Sequence, residues 1–274
     1  MKPDLTINPA LTRKILTGFI KSEITRVGFT RAVIGLSGGI DSAVSCALAA
    51  EALGPQNVLA VRMPYKSSSP DSLEDAEKTA QGLGICLDTI EITPMVDPLI
   101  ERDREMSKLR KGNLMARSRM IILYDQSEVF KGLVVGTSNK TEILLGYTTL
   151  WGDMASAVNP IGDLYKTQLR QLAATLNIPG SVLEKPPSAD LWLGQTDEGE
   201  LGFTYEEVDK LLYLLVDQRC SMEDCLDAGF EKDFVEKVYN RIRRSQYKRM
   251  QPIIAKLSTR TVGNDFLYLR DWGT

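Results

Sequence analysis

A short apolar segment runs into a serine- and glycine-rich turn and then into alanine-rich sequence. The turn, Ser37-Gly-Gly-Ile-Asp-Ser42, lies between a β-branched run that begins at Arg31 and a helix-favouring run that continues to Ala52. This order predicts a strand, a turn and a helix N-terminus. The first N–H groups of a helix have no partner within it, and glycines let a ligand approach them closely. The segment is therefore predicted to bind an anionic group such as phosphate.

The residues that follow the glycines distinguish this turn from two common classes of phosphate-binding loop. A P-loop carries a lysine there for the β- and γ-phosphates, whereas this chain has Ile40-Asp41. A dinucleotide-binding fingerprint needs an acid about 20 residues further on, and the strand predicted over residues 58–63 ends in Arg62 with no acid close behind. A carboxylate beside phosphates is repulsive unless a cation lies between them, and Mg²⁺ is the natural bridge. A kinase-type loop and a dehydrogenase are both disfavoured.

Histidine is absent from the chain. This excludes Ser–His and Cys–His nucleophilic pairs, His-ligated zinc and imidazole general bases. Any chemistry must rely on carboxylates, Lys, Arg, hydroxyls, backbone amides and an oxygen-liganded metal. A ligase that activates a carboxylate with ATP can work with this set, because positioning and charge stabilisation supply most of the catalysis.

The composition of the chain limits its possible fold class, partners and cellular compartment. The 274 residues, 43% hydrophobic and 25% charged, have room for one large α/β domain. No apolar run approaches the length of a spanning helix and the N-terminus does not read as a signal peptide, so we expect no membrane partner. The net charge of −3 does not indicate a nucleic-acid partner. The four cysteines show no zinc spacing, Cys46 and Cys86 fall in predicted core, and a reducing cytoplasm fits this pattern.

Strands and helices are predicted to alternate along the chain. A helix over residues 8–27 precedes the first strand, and further strands are predicted over residues 58–63, 85–92 and 132–136. A helix between the strands predicted over residues 58–63 and 85–92 begins at Pro70 and stops near Gly84. Repeated βαβ units predict an α/β fold with a doubly wound parallel sheet, with ligands outside the carboxyl ends of the strands. Residues 205–216, 221–228 and 233–249 are predicted to be helical.

Several charged or polar residues have two possible interpretations. Glu142 follows the last predicted strand, where it could be a second metal ligand or an ordinary charge at a helix start. Arg117 and Arg119 lie on a helix for which Asn113 is a candidate cap, and they could be ligands or a solvated face. A basic cluster in residues 241–249 could contact a nucleotide phosphate, although a solvated helix end that favours cations is the preferred interpretation.

The turn resembles the pyrophosphate-binding loop of the N-type ATP pyrophosphatases. That superfamily includes NAD synthetase, the ATPase domain of GMP synthetase, argininosuccinate synthetase and the tRNA-modifying adenylases. Four further segments resemble NAD synthetase and occur in the family's order: Gly136-Thr-Ser-Asn-Lys-Thr-Glu142, Gly152-Asp-Met154, Gly162-Asp-Leu-Tyr-Lys166, and Lys185-Pro-Pro-Ser-Ala-Asp-Leu191 with Gln195-Thr-Asp-Glu198. Together with the turn they cover residues 31–205.

The resemblance implies an adenine-nucleotide α-hydrolase-like fold in a single domain, with an ATP pyrophosphatase core over about residues 31–205 and a helical part over about 206–274. It also implies the last step of NAD biosynthesis: ATP-dependent amidation of deamido-NAD with ammonia through an acyl-adenylate, releasing AMP and pyrophosphate. Three alternatives stay open. They are a related pyrophosphatase that amidates or thiolates another substrate, a synthetase subunit fed by a separate glutaminase, and a nucleotide sensor without turnover.

The same resemblance implies roles for individual residues. Asp41 and Glu142 would hold Mg²⁺, and Lys166 would act with them by offsetting charge on the bridging phosphate oxygen. The implied ATP-binding residues are Ser37, Gly38, Gly39, Ile40, Asp41, Ser42, Arg62, Thr137, Lys166 and Ser188. The implied deamido-NAD-binding residues are Asn113, Arg117, Asp153, Asp197 and Glu200. A homodimer formed through the helical region of residues 113–130 is also implied.

The chain departs from the family pattern at two places. Many ammonia-dependent members have a second acid where this chain reads Met154-Ala-Ser-Ala157, and Trp151-Gly-Asp-Met154 looks more like the glutamine-dependent enzymes. Ser68 stands where the family usually has Gln or a similar residue, so the contacts of this chain with the adenine ring of ATP are expected to differ from those of the family. Only about 30 residues precede the core, too few for a glutaminase domain, so we expect ammonia to be used directly. The apolar tail that contains Phe266, Leu267 and residues 268–272 is expected to pack down.

Overall fold

A parallel four-stranded sheet organises the first half of the chain. The computed structural model describes residues 2–188 and 196–267. The strands are β1 (Ala32–Gly35), β2 (Val58–Arg62), β3 (Cys86–Thr89) and β4 (Leu133–Val134), in the order β3-β2-β1-β4. Ala32 of β1 pairs with Val58 of β2 on one side and with Leu133 of β4 on the other. The chain therefore crosses from one edge of the sheet to the other between β3 and β4.

Twelve α-helices surround and extend this sheet within the described residues. They are α1 (Pro9–Arg26), α2 (Ile40–Leu53), α3 (Pro70–Leu83), α4 (Thr93–Glu101), α5 (Lys108–Phe130), α6 (Lys140–Leu145), α7 (Lys166–Ala173), α8 (Gly180–Glu184), α9 (Asp197–Leu201), α10 (Tyr205–Leu212), α11 (Met222–Asp227) and α12 (Lys232–Arg244). Short 3₁₀ turns occupy Pro55–Asn57 and Gln246–Arg249, and a π turn occupies Tyr213–Asp217. None of the described helices combines the length and apolar character needed to cross a bilayer.

Alternate residues of the strands pack against different helices. Ala32 and Ile34 of β1 belong to a buried cluster with α1, α2, α3, α7 and α8. Val33, between them, belongs to a second cluster with Leu59 and Val61 of β2 and with side chains of α4 and α5. Because successive side chains of a strand point to opposite faces, the sheet is covered by helices on both sides. This confirms the predicted doubly wound α/β fold.

The C-terminal helices form a third hydrophobic cluster. Its buried side chains come mainly from α10, α11 and α12, and they include Val208, Leu212 and Val238. Leu145 of α6 and Tyr165, the residue before α7, belong to the same cluster. The helical C-terminal part is therefore packed against the two short helices that begin at the rim of the sheet.

Three expectations about local structure were wrong wholly or in part. Cys86 is exposed rather than buried, because β3 is an edge strand. Asn113 is not a helix cap: α5 begins five residues earlier, where the Ser107 side chain accepts a hydrogen bond from the Arg110 N–H. Gly112 does not interrupt the helix. Of the tail, Phe266 is half-buried but Leu267 is 56% exposed, and residues 268–274 lie outside the described part.

The turn between β1 and α2 depends on a glycine in the left-handed region. Gly38 has φ of +81°, and a Cβ atom added there would lie 2.1 Å from the carbonyl oxygen of Ser72 in α3. The backbone of α3 therefore packs directly against the turn. Only glycine satisfies both the torsion angle and the close approach.

We expect Gly38→Ala to lower the free energy of unfolding by about 2–4 kcal/mol. The alanine would be strained in the left-handed region, and its Cβ atom would also clash with the Ser72 carbonyl oxygen. Thermal and urea denaturation measure the change. Gly18→Ala is the matched control, since Gly18 is within α1 and a Cβ there meets nothing within 4 Å. That control should be neutral or stabilise the protein by up to about 1 kcal/mol. Equal stability of the two variants would show that the turn tolerates a side chain.

Candidate active site

The predicted catalytic residues converge at the carboxyl ends of β1 and β4. Asp41 lies in the first turn of α2 and Glu142 lies in the first turn of α6. Lys166 is the first residue of α7. β1 and β4 are adjacent in the sheet, whereas β2 and β3 lie on the other side of β1. The strand order reverses between β1 and β4, and an open α/β sheet forms its ligand-binding crevice at such a reversal.

The Ser37–Ser42 turn is shaped by its own hydroxyl groups. Ser42 Oγ accepts a hydrogen bond from the Ser37 N–H at 3.2 Å and donates to the Gly39 carbonyl at 2.9 Å. Ser37 Oγ accepts from the Gly39 N–H at 3.3 Å. Gly39 is the N-cap residue of α2 and has no side chain to satisfy the first helical N–H groups. These groups and the helix dipole leave the turn suited to an anion.

A buried ion cluster connects three elements. Lys166 Nζ lies 2.5 Å from Asp41 Oδ2 and 3.3 Å from Glu142 Oε1. The lysine side chain is only 2% exposed. Burial alone would lower the pKa of Lys166, but the Asp41 and Glu142 carboxylates outweigh it and raise that pKa. Lys166 is therefore a fixed positive charge between the two carboxylates.

The surroundings of Glu142 displace its pKa from the ordinary value of a glutamate. Burial raises the pKa of Glu142 to about 8, while the neighbouring Lys166 ammonium acts in the opposite direction. Binding of a second cation near this carboxylate would favour its ionised form.

The donor set of this cluster fits Mg²⁺. Asp41 and Glu142 direct carboxylate oxygens toward one cation, the Lys166 ammonium, beside a turn suited to phosphate. Within the described ranges, no three acidic, histidine or cysteine side chains gather as a metal site. The two carboxylates match the needs of Mg²⁺, which commonly takes one or two protein carboxylates and completes its octahedron with phosphate oxygens and water.

Asn139 is a site residue that the sequence analysis did not single out. Its Nδ2 donates to Asp41 Oδ1 at 2.8 Å, and its Oδ1 accepts from the Glu142 N–H at 3.0 Å as the N-cap of α6. One side chain thus bonds the Asp41 carboxylate and caps the helix that carries Glu142. The signal was present in the sequence, since Asn three residues before Glu is a capping pattern, but that pattern does not reveal the contact with Asp41.

Asp209 of α10 is a second such residue. Its Oδ1 accepts from Thr141 Oγ1 at 2.6 Å, and its Oδ2 accepts from the Thr167 N–H and hydroxyl, each at 2.8 Å. Thr141 Oγ1 in turn accepts from the Lys166 N–H at 2.9 Å. Asp209 is fully buried, and it links the helix that carries Glu142 to the helix that carries Lys166. Nothing in the local pattern of α10 distinguishes it from an ordinary polar position.

The residues implied to bind deamido-NAD fall into two groups. Asn113, Arg117 and Asp153 gather around residues 149–153: Asn113 Oδ1 accepts from Thr149 Oγ1, Arg117 donates to the Leu150 carbonyl, and Asp153 Oδ1 accepts from the Thr149 N–H. Asp197 and Glu200 lie apart from them on α9.

Asp197 belongs to the surroundings of the ion cluster. Its side chain is buried and its Oδ2 accepts from the Tyr205 hydroxyl at 3.0 Å. Burial raises the pKa of Asp197, while Lys166 acts to lower it. Glu200 instead accepts a hydrogen bond from the Tyr147 hydroxyl at 2.7 Å. The structure therefore brings Asp197 into the electrostatic environment of Lys166 and places Glu200 beside Tyr147.

The outer residues of the predicted ATP site are more dispersed. Arg62 donates to the Leu73 carbonyl at 2.7 Å and pairs with Glu77, so it lies against α3. Thr137 is half-buried between β4 and α6, and Ser188 is exposed at the end of the first described range. Ser68 Oγ accepts from the Tyr65 N–H and closes the turn after β2. Residues 189–191 and 195 of the matched motif lie outside the described residues.

Two members of the basic cluster have a structural role. Lys248 Nζ donates to the carbonyls of Gly146 and Thr148, and Arg249 donates to those of Ile143 and Leu144. These are the carbonyls at and after the C-terminal end of α6, where cations are favourable. Lys248 and Arg249 therefore fix the helix that carries Glu142. Both are half-buried and bond carbonyls of another helix, so the preferred interpretation of a solvated helix end was wrong for these two residues.

These features define a class of protein. A phosphate-binding turn at the crevice of a parallel sheet, an aspartate in the first helical turn, and a carboxylate and lysine from neighbouring helices describe an ATP pyrophosphatase. The family model for NAD synthase matches residues 12–252, and the chain belongs to the NAD synthase family. The assignment made from the sequence motifs is thereby confirmed.

Individual relatives agree with this assignment. The NH(3)-dependent NAD(+) synthetase of Trichlorobacter lovleyi is 55% identical over 98% of this chain and 98% of that protein. Among solved structures, the NMN synthetase of Francisella tularensis matches with a TM-score of 0.80 and 31% identity, covering 92% of this chain and all of that one. An NH3-dependent NAD synthetase from Campylobacter jejuni, solved with nitrate ion, matches with a TM-score of 0.78 and 32% identity over the same shares.

We expect Asp209→Asn to lower the free energy of unfolding by about 1–3 kcal/mol, because an amide cannot accept all three hydrogen bonds and presents N–H groups to buried donors. Differential scanning calorimetry measures the loss. Asp227→Asn, at an exposed position of α11, is the control and should stay within about 0.5 kcal/mol of the parent protein. If both variants were equally stable, the hydrogen bonds of Asp209 to α6 and α7 would make no net contribution to the free energy of unfolding.

Proposed function

We propose that the chain catalyses ATP-dependent amidation of deamido-NAD with ammonia, forming NAD, AMP and pyrophosphate. The observation that carries this proposal is the convergence of Asp41, Glu142 and Lys166 beside the phosphate-binding turn. The names of the relatives at 55–57% identity agree with this reaction. The reaction forms a carbon–nitrogen bond, so the enzyme is a ligase. We propose one catalytic domain over residues 1–274 and a cytoplasmic location.

The first half-reaction joins the nicotinate carboxylate to the α-phosphorus of ATP. A carboxylate oxygen forms the new P–O bond, and pyrophosphate leaves with the electron pair of the broken bond. The Ser37–Ser42 turn holds the phosphates through its N–H groups, and Lys166 offsets charge on the bridging oxygen. Asp41 and Glu142 would hold Mg²⁺, which when bound neutralises phosphate charge. The product is an acyl-adenylate, and no covalent bond to the enzyme is needed.

The second half-reaction uses ammonia. Its nitrogen attacks the acyl carbon, the bond to AMP breaks with its electron pair going to AMP, and one proton leaves the nitrogen. We propose that Asn113, Arg117 and Asp153 contact the deamido-NAD, since they gather around one loop near the ion cluster. We also propose that Asp197 and Glu200, on α9, contact the deamido-NAD.

A second substrate deserves a direct comparison, because one of the matching structures is an NMN synthetase. The mononucleotide counterpart of deamido-NAD is nicotinate mononucleotide. Purified protein with ATP, Mg²⁺ and an ammonium salt is given each substrate, and AMP and the amidated product are measured. We expect deamido-NAD to give the higher kcat/KM. If AMP formed with nicotinate mononucleotide but not with deamido-NAD, the mononucleotide would be the substrate and the proposal of deamido-NAD would be wrong.

We expect Asp41→Asn and Glu142→Gln each to lower kcat by about 10²-fold or more, since each removes a charge that stabilises the transition state. Circular dichroism should show an intact fold. Asp71→Asn is the matched control, an exposed aspartate in the first turn of α3, and it should keep full activity. Near-normal turnover in either site variant would contradict the assignment of Asp41 and Glu142.

We expect ammonium, and not glutamine, to support NAD formation by the purified chain. The chain has no histidine to activate a cysteine, and burial raises the pKa of the Cys46 thiol to about 12. Because the nucleophile is neutral ammonia, the rate at fixed total ammonium should rise as pH increases from neutral. Glutamine-driven synthesis at the rate seen with ammonium would prove this proposal wrong.

We propose a homodimer formed through α5. This helix exposes large apolar side chains, among them Ile121 at 54% and Tyr124 at 44%, which lie on one face at a spacing of three residues. An exposed apolar face of a helix is typical of a protein contact.

We expect Ile121→Glu to shift the protein toward monomer in sedimentation equilibrium, because it places a charge in the apolar contact. Val27→Glu, at the end of α1 where the valine is 55% exposed, is the control and should leave the parent's oligomeric state unchanged. An active parent protein that sediments as a monomer would remove the dimer from the proposal.

A further inference from the structure

The Lys166 ammonium has an aromatic neighbour in addition to its two carboxylate partners. Lys166 Nζ lies over the ring of Tyr205, 5.3 Å from the ring centroid. A cation within about 6 Å of a ring centroid is attracted by the quadrupole of the ring, and the attraction is stronger where water is excluded. The lysine is 2% exposed and the tyrosine 4% exposed, so this contact is buried. No role was assigned to Tyr205 from the sequence.

The hydroxyl group of Tyr205 bonds a second member of the crevice. It donates to Asp197 Oδ2 at 3.0 Å. Burial raises the pKa of Tyr205, and the carboxylates of Glu142 and Asp197 act in the same direction, so the phenol stays a neutral donor. One side chain therefore contacts Lys166 with its ring and Asp197 with its hydroxyl group.

The backbone around Tyr205 is fixed by α9 and α10. Tyr205 is the first residue of α10, and its N–H donates to Glu198 Oε1 of α9 at 2.8 Å. Asp209 lies four residues further along α10, on the same face of the helix. It accepts hydrogen bonds from Thr141 of α6 and Thr167 of α7. One face of α10 therefore supports the ion cluster through both an aromatic ring and a carboxylate.

The ring differs from the two carboxylates in what else it can bind. Asp41 and Glu142 are the residues proposed to hold Mg²⁺, and a cation at these oxygens would compete with Lys166 for them. The Tyr205 ring carries no charge, and Mg²⁺ prefers carboxylate, phosphate and water oxygens. The contact between the ring and the ammonium is therefore compatible with a cation on the carboxylates.

We propose that Tyr205 is a positioning residue for the first half-reaction, and that its ring holds the Lys166 ammonium beside the phosphate-binding turn. The inference rests on the proposed amidation and adds the residue that keeps Lys166 in place when the carboxylates bind a cation. The hydroxyl group has a separate role, because it orients Asp197, one of the proposed contacts of deamido-NAD. Loss of the ring should lower kcat, whereas loss of the hydroxyl group should raise the KM for deamido-NAD.

Exchange of labelled pyrophosphate into ATP, dependent on deamido-NAD and run without ammonium, reports the first half-reaction alone. We expect Tyr205→Leu, which removes the ring, to lower the kcat of exchange by about 5- to 30-fold, the factor that corresponds to a buried cation–ring attraction. Tyr205→Phe keeps the ring, and its kcat should stay within about threefold of the parent. Its KM for deamido-NAD should rise about two- to tenfold, because Asp197 loses a hydrogen bond. A loss of kcat in Tyr205→Phe equal to that in Tyr205→Leu would overturn the assignment to the ring.

Phe203→Leu is the matched control for lost packing. Phe203 is a buried aromatic residue of the same hydrophobic cluster, and its ring packs against Phe234 and lies under the Lys237 ammonium. The substitution should lower the melting temperature but leave the kcat of exchange unchanged at temperatures where the variant is folded. Equal kcat values in Phe203→Leu and Tyr205→Leu would refute the positioning role. If Tyr205→Leu does not fold, Tyr205→Met takes its place with the same expected kcat, because the flexible methionine fills the space without a ring.

A double-mutant cycle tests the contact without nucleotide or metal. Urea unfolding is measured for the parent, Tyr205→Leu, Lys166→Met and the double variant. If the two side chains attract each other, the double variant loses less than the product of the two single changes in the unfolding equilibrium constant. We expect this difference to be about fivefold or more. Agreement with the product within about twofold would refute the contact between the ring and Lys166.

These measurements separate the role of Tyr205 from the proposed function. Absence of both pyrophosphate exchange and NAD formation in the parent protein would refute the proposed amidation, whatever the cycle shows. An active parent protein with additive substitutions in the cycle and an unchanged kcat in Tyr205→Leu would instead refute the role of Tyr205 alone.

Discussion

The arrangement of the crevice depends on one buried charge, the Lys166 ammonium between Asp41 and Glu142. A charge that is 2% exposed is tolerated only where opposite charges compensate it, and removal of one partner from such a cluster typically costs about 3–5 kcal/mol. Its members come from three helices, α2, α6 and α7, which the chain reaches at widely separated positions. The electrostatic requirement therefore fixes these helix N-termini relative to one another, and with them the phosphate-binding turn.

The C-terminal helices can be understood as support for this cluster. Asp209 of α10 ties the N-terminal residues of α6 and α7 together, and Lys248 and Arg249 bond the carbonyls at the other end of α6. A helix of six residues, such as α6, has little stability of its own and takes its position from its surroundings. The position of Glu142 consequently depends on residues more than sixty positions further along the chain.

This dependence explains which parts of the site the sequence could predict. The strand, turn and helix around Asp41 follow from local patterns. The position of Glu142 after a strand that ends at the same rim allowed a metal-ligand role or an ordinary helix-start charge, and only the family resemblance selected the first. Asn139 was recognisable as a cap but not as a partner of Asp41, since that contact spans 98 positions. Asp209 had no local signal. Cys86 was misplaced because the periodicity of a strand does not say whether it lies at the edge of a sheet.

The charges of the crevice also indicate the form in which nucleotide enters. A divalent cation that approached Asp41 and Glu142 by itself would be repelled by the Lys166 ammonium that both carboxylates contact. A triphosphate by itself would meet two carboxylates beside the turn that binds it. When cation and triphosphate arrive together, the phosphate oxygens attract Lys166 while the cation satisfies the carboxylates, so each unfavourable encounter is offset by the other partner. On the proposed function, the crevice would in this sense be complementary to a metal–nucleotide complex rather than to either component alone.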